Sequence, residues 1–205
     1  MEKLVYIVRH GQTDFNKKGI IQGQGVDTSL NDTGVQQAQA FFHHYKEVGF
    51  QAVLTSTLRR THETMSPFID AGLPWEQHPE INEIDWGIHE GKKSTPEMHA
   101  DYKRIVEAWN NGDYSAGVKN GESAAEMEAR LRRFVDMLLK RPEEKLLVCS
   151  HGRAMRALMC VLDQQPLSQM HRFQHHNTGL YQIAHNGQRV RFLKENDLRH
   201  LKASV

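Results

Sequence analysis

The sequence predicts an α/β fold: three layers, α/β/α, around a mostly parallel central sheet, with a small helical cap inserted on one side. Two observations predict it. Short, nearly continuous apolar runs recur (LVYIV at 4–8, AVLT at 52–55, LLVC at 146–149), which suit strands buried on both faces. Between them lie longer stretches with apolar residues at helical spacing, the alternation that brings strands parallel through crossover helices. With 205 residues, 39% hydrophobic and 25% charged, the chain is expected to form a single domain spanning 1–205. Residues from about 83 to 121 hold the weakest strand signal and several glycines, and are expected to form the cap.

The elements follow in order. Leu4 to Val8 is the first strand. From Thr33 to Val48, Val35, Ala38, Phe42, Tyr45 and Val48 recur at helical spacing, and Gly49 suits a C-terminal cap. Ala52 to Thr55 is a second strand, followed by a helix starting near Leu58. Pro96 to Trp109 is helical, because Met98, Tyr102, Ile105, Val106 and Trp109 share one face. Ser123 with Glu126 forms a capping-box pattern ahead of the stripe Met127, Leu131, Phe134, Val135 and Leu138, and Pro142 ends that helix. Leu146 to Cys149 is a third strand, with a helix from about Arg153 to Leu162. Gly179–Ala184 and Arg189–Leu193 flank His185-Asn186-Gly187-Gln188, where Asn-Gly favours a hairpin.

Composition narrows the partners. The net charge is +1, from 26 basic and 25 acidic residues, so no global field favours nucleic acid or an anionic membrane. No apolar run has the length of a signal peptide core or a membrane span, and the expected compartment is the cytoplasm. Cys149 and Cys160 lie in apolar stretches without metal-type spacing and read as buried free thiols. Thirteen histidines are unusual. Yet His43-His44 and His175-His176 are adjacent pairs, which point apart on a helix, and no HExxH or CxxC pattern accompanies them. No metal is expected. Arg130, Arg132 and Arg133 are offset by Glu126 and Glu128, which reads as an exposed mixed-charge helix face.

In open α/β sheets, ligands bind beyond the carboxyl ends of the strands. Three strands end in reactive residues at that edge. The first yields Arg9, His10 and Gly11; the second leads through Ser56-Thr57-Leu58 to Arg59; the third yields Ser150, His151 and Gly152. Were these strands neighbours, two arginines and two histidines would converge in a local cationic pocket fit for a phosphoryl group. Arginine forks match phosphoryl oxygens, glycines let backbone amides approach the anion, and the helix after His151 adds its positive end. A neutral imidazole can attack phosphorus, and arginines can spread the charge that develops. A proton donor is needed for the leaving oxygen. Glu83, Asp85 and Glu90, in EINEIDWGIHEG at 80–91, are candidates that spacing alone does not separate.

These residues resemble the histidine phosphatase superfamily, in its phosphoglycerate mutase-like branch. The likeness rests on RHGQT at 9–13 with Asn16, Gln22-Gly23, Ser56-Thr57-Leu58-Arg59 with Thr64, Glu83 with Glu90-Gly91, and SHG at 150–152. It implies that His10 becomes phosphohistidine, that Arg9, Arg59 and His151 hold the phosphoryl oxygens, and that Glu83 is the acid and later the base. Asn16, Gln22 and Gly23 resemble the ligand-binding loop, with Gly11 and Gly152 in the pocket wall. Phe15 stands where many relatives carry tryptophan, and Arg60 stands where a small residue is common. True mutases are longer between acid and second histidine and carry basic residues there. Here Lys92-Lys93 is the only close basic pair soon after Glu83, and no arginine pair matches the mutase pattern.

The expected activity is therefore hydrolysis of a small phosphomonoester through phosphohistidine, with no cofactor. A bisphosphoglycerate-dependent mutase and a non-catalytic phospho-ligand module are the alternatives. A homodimer is compatible with the sequence, which does not fix the oligomeric state or name the substrate.

Overall fold

The computed structural model describes residues 2–202. Its six strands are β1 (Lys3–Arg9), β2 (Ala52–Thr55), β3 (Trp75–Gln77), β4 (Lys145–Ser150), β5 (Leu180–His185) and β6 (Val190–Asp197). The helices are α1 (Asp14–Lys18), α2 (Asp32–Tyr45), α3 (Arg59–Asp70), α4 (Pro96–Asn110), α5 (Ala124–Lys140), α6 (Gly152–Leu162) and α7 (Arg199–Lys202). The sheet runs β3-β2-β4-β1-β5-β6. β3, β2, β4 and β1 are mutually parallel, and β5 and β6 complete one side antiparallel. The three reactive strand ends thus belong to neighbours, with Arg9 paired in register with Ser150.

Period-two alternation explains the layers. Val5, Ile7, Leu54, Leu146 and Val148 face a core shared with α4, α5 and α6. Tyr6, Val8, Val53, Leu147 and Cys149 face the opposite way, against Phe41 and Tyr45 of α2 and Met65 and Phe68 of α3. Both faces being covered is why these strands read as unbroken apolar runs.

Local signals hold where they are strongest. Ser123 and Glu126 form a reciprocal capping box at α5. α2 gives way to one 3₁₀ turn, Lys46–Val48, and Gly49 closes it at φ +77°. Gly187, at φ +90°, makes the β5–β6 turn. Both cysteines are free and buried. Among the described residues, no helix is long and apolar enough to cross a membrane.

Candidate active site

The site is built on two backbone ties. His10 N donates to Ser150 O (3.0 Å), joining the ends of β1 and β4. Gly11 N donates to Thr64 Oγ1 (2.9 Å), fixing the loop after β1 to α3. A Cβ on Gly11 would lie 2.7 Å from Gly34 O, so glycine is required here by close packing against α2. That differs from the sequence expectation, which assigned this glycine to anion access.

His10 is buried, and its ring meets that of His151 at 5.2 Å between centroids. His10 Nδ1 lies 2.7 Å from Gly11 O. A carbonyl only accepts, so Nδ1 carries the proton and Nε2 keeps its lone pair. Burial, then the positive charges of Arg60 and Arg9, hold the ring well below its usual pKa of 6.5. It is a neutral imidazole.

Arg60, rather than Arg59, enters the pocket. The Arg60 side chain has 0% exposure, and its Nε donates to His151 Nδ1 (3.1 Å). Its other nitrogens reach Val26 O (2.8 Å) and Gly23 O (3.2 Å). Arg59 is exposed, and its guanidinium approaches only Ser29 Oγ, at 3.5 Å. The expectation for Arg59 is corrected, and helix phase is the reason. α3 begins at Arg59 and buries Arg60, Thr64 and Phe68, spaced four apart, along one face.

His151, fully buried ahead of α6, spends both ring nitrogens on protein atoms. Nδ1 accepts from Arg60, so Nε2 donates to Ser56 Oγ (2.7 Å). Ser56 contacts Thr61 Oγ1 (2.9 Å), which donates to Leu58 O (2.8 Å). This relay fixes the tautomer of His151 and the direction of Arg60.

Glu83 is buried and sits on the first turn of α6. Its Oε2 accepts from Arg153 N (3.0 Å), and Oε1 accepts from Ala154 N (2.8 Å) and Ile84 N (3.0 Å). The amides at the start of α6 therefore hold the Glu83 carboxyl group, at the helix end that the sequence analysis assigns to the substrate anion. Arg130 clamps the same loop from α5: it donates to the carbonyls of Glu80, Asn82 and Glu83 and pairs bidentately with Glu122. It is buried on the stripe of Met127 and Phe134, so the exposed-face expectation holds for Arg132 and Arg133 and fails for Arg130.

Arg9, ending β1, donates through NH1 to His175 O (3.0 Å) and faces His175 Nδ1 (3.3 Å). Its buried Nε has no protein partner, which leaves a donor beside Gly152, whose Cβ position is 3.5 Å from that nitrogen. Burial lowers the Arg9 pKa to about 10. Asn16 and Gln22 spend their side chains on the loop: Asn16 Oδ1 accepts from Thr13 N and Asn177 Nδ2, while Gln22 Nε2 donates to Thr13 Oγ1 (2.7 Å). Gly23 supplies a carbonyl to Arg60, and a side chain there would strike Glu90. Sequence reasoning missed Arg60, His175 and Arg153. The first was readable from helical spacing; the others are brought in only by tertiary packing.

A profile of the histidine phosphatase superfamily (branch 1) matches residues 5–198. The chain belongs to this superfamily. Curated relatives include a probable phosphoglycerate mutase GpmB of Erwinia tasmaniensis, 31% identical over 183 residues, covering 88% of this chain and 84% of the relative. The Yersinia pestis protein of the same name is 32% identical, covering 87% and 83%. Among solved structures, a putative α-ribazole-5'-P phosphatase from Escherichia coli superposes with a TM-score of 0.85 at 26% identity, covering 95% of this chain and 96% of that one. A mycobacterial glucosyl-3-phosphoglycerate phosphatase complexed with VO3 gives 0.83 at 26%, covering 96% and 100%. The histidine phosphatase fold thus has structural neighbours named as phosphatases alongside relatives named as mutases.

The neutral histidines at 175, half-buried, and 200, buried, predict that this histidine phosphatase fold loses stability in acid. Burial and nearby arginines lower His175 to about 3, and burial lowers His200 to about 4, from 6.5. Below pH 6.5 the unfolded chain binds protons that the folded chain refuses, so stability falls as pH drops toward those values. The melting temperature should drop clearly between pH 7 and pH 5. A flat profile would mean that these rings are already protonated when folded.

Proposed function

We propose that the protein hydrolyses small phosphomonoesters through a phosphohistidine on His10, without a metal ion. The observation that carries this reading is the tautomer of His10: its proton is committed to Gly11 O, which frees Nε2 inside a pocket flanked by Arg9 and Arg60. In the first step, which Glu83 enters as the protonated acid, Nε2 attacks phosphorus, the bond to the substrate oxygen breaks, and Glu83 gives its proton to that leaving oxygen. In the second, Glu83 takes a proton from water as the water oxygen attacks phosphorus, the P–N bond breaks, and phosphate departs. The unpartnered Arg9 Nε and the fork of Arg60 take the phosphoryl oxygens, which supplies the charge stabilisation that a metal gives in other phosphoryl-transfer sites. His151 orients Arg60 and walls the pocket. The neighbours named as phosphatases support hydrolysis over the mutase alternative, as does the absence of an arginine pair between Glu83 and Gly121 in the sequence.

The test is turnover of p-nitrophenyl phosphate in excess EDTA, with acid-quenched and alkali-quenched protein compared for bound phosphate. Turnover should survive chelation, and the label should persist in alkali and be lost in acid, as a phosphoramidate is. Activity restored only by an added divalent metal would reject the reading. Conversion of 3-phosphoglycerate to 2-phosphoglycerate with a trace of bisphosphoglycerate, outpacing hydrolysis, would establish the mutase instead.

A further inference from the structure

A cavity of about 280 Å³ lies under the N-terminal half of α4, lined by none of the catalytic groups but tied to their supports through Gln22 and Tyr102. Its walls include Ile21, Trp86, Met98 and Tyr102, and its polar groups are Gln22, His89, Ser94 and His99. No lysine, arginine, aspartate or glutamate lines it, and His89 is itself turned to Asp101, at 3.5 Å. The walls are built into the fold: Ile21 exchanges backbone bonds with Gly91 and Lys92. Two of them also touch the reaction machinery. Gln22 bonds Thr13 in the loop after His10, and the Tyr102 hydroxyl receives the guanidinium of Arg153, whose amide holds Glu83. That guanidinium lies 5.6 Å from the Tyr102 ring and 5.5 Å from the Trp109 ring, which commits its charge to aromatic faces.

We propose that this cavity receives the leaving group of the substrate and selects an uncharged, apolar, ring-bearing alcohol against one carrying a second anion. A carboxylate or second phosphate entering it would lose hydration and meet no lysine or arginine in return, whereas a ring would exchange water for carbon. The inference rests on the phosphatase reading and names the substrate class for it.

The test compares 1-naphthylmethyl phosphate, glycerol 3-phosphate and 3-phosphoglycerate on the full-length protein. The first two release primary alcohols and 3-phosphoglycerate releases a similar one, so leaving-group acidity does not set the order. The expected kcat/KM is highest for the naphthylmethyl ester, by at least about tenfold over glycerol 3-phosphate, with 3-phosphoglycerate lowest. Met98→Asp, or Ser94→Glu at an exposed position of the same wall, should lower kcat/KM for the naphthylmethyl ester about tenfold more than for glycerol 3-phosphate. Two variants keep the test open should one fail to fold. Preference for 3-phosphoglycerate, or equal losses on both esters, would overturn the inference while hydrolysis stands. No turnover of any ester, p-nitrophenyl phosphate included, would remove the phosphatase reading beneath it.

Discussion

His10→Ala is expected to lower kcat toward p-nitrophenyl phosphate by at least about 10⁴-fold, the scale seen when a nucleophile is removed from a site whose parts act together. No neighbouring group can replace it. Both ring nitrogens of His151 are bonded to protein, and His175 Nδ1 is turned to Arg9. The variant should retain its melting temperature within a few degrees, because the backbone tie from residue 10 to Ser150 does not involve the ring. Single-turnover assays with the purified variant provide the measurement. Residual activity within about tenfold of the parent would place the nucleophile elsewhere.

The second large effect separates two adjacent arginines. Arg60→Ala should cost about 10²–10³ in kcat, or about 3–4 kcal/mol of transition-state stabilisation, the loss typical of one preorganised donor. Arg59→Ala should stay within about twofold, since its side chain is exposed and its one polar approach is at 3.5 Å. Removing Arg60 also leaves His151 Nδ1 and the carbonyls of Gly23 and Val26 without their donor, so some loss of stability will accompany the loss of rate. Arg60→Lys resolves the two effects. It keeps the charge but cannot reach His151, Val26 and Gly23 at once, so activity should recover only in part. Equal behaviour of the alanine variants at 59 and 60 would contradict the helix phase seen here.

Most of the sheet was legible because burial on both faces leaves an unmistakable imprint: β1, β2 and β4 appear as apolar runs, and their adjacency follows from where their reactive ends had to meet. β3 left no such imprint. It is three residues long, its side chains are exposed at the sheet edge, and only parallel pairing with β2 makes it a strand. α1 is equally short, defined by the cap of Thr13 and the left-handed Gly19 rather than by an apolar stripe. The error at Arg59 has a physical origin: consecutive residues of one type carry no chemical distinction, and only the spacing of Arg60 with Thr64 and Phe68 reveals which faces inward. Arg130 was concealed in the same way, a cation lying on an apolar stripe. The seat of Glu83 on the amides of Arg153 and Ala154 could not be read at all, because main-chain donors are identical at every position.

The pairing of Arg9 with Ser150 has a bearing on biogenesis. His10, the proposed nucleophile, directly follows β1, and β4, the strand that completes its pocket, is synthesised only after β2, β3 and α2 to α5. Parallel contacts of such long range form late in folding, after the loop between them has been closed. Catalytic competence should thus arise all at once when the fourth strand inserts between the first and second. A nascent or clipped chain ending before Lys145 would carry His10, Arg60 and Glu83 without the means to use them.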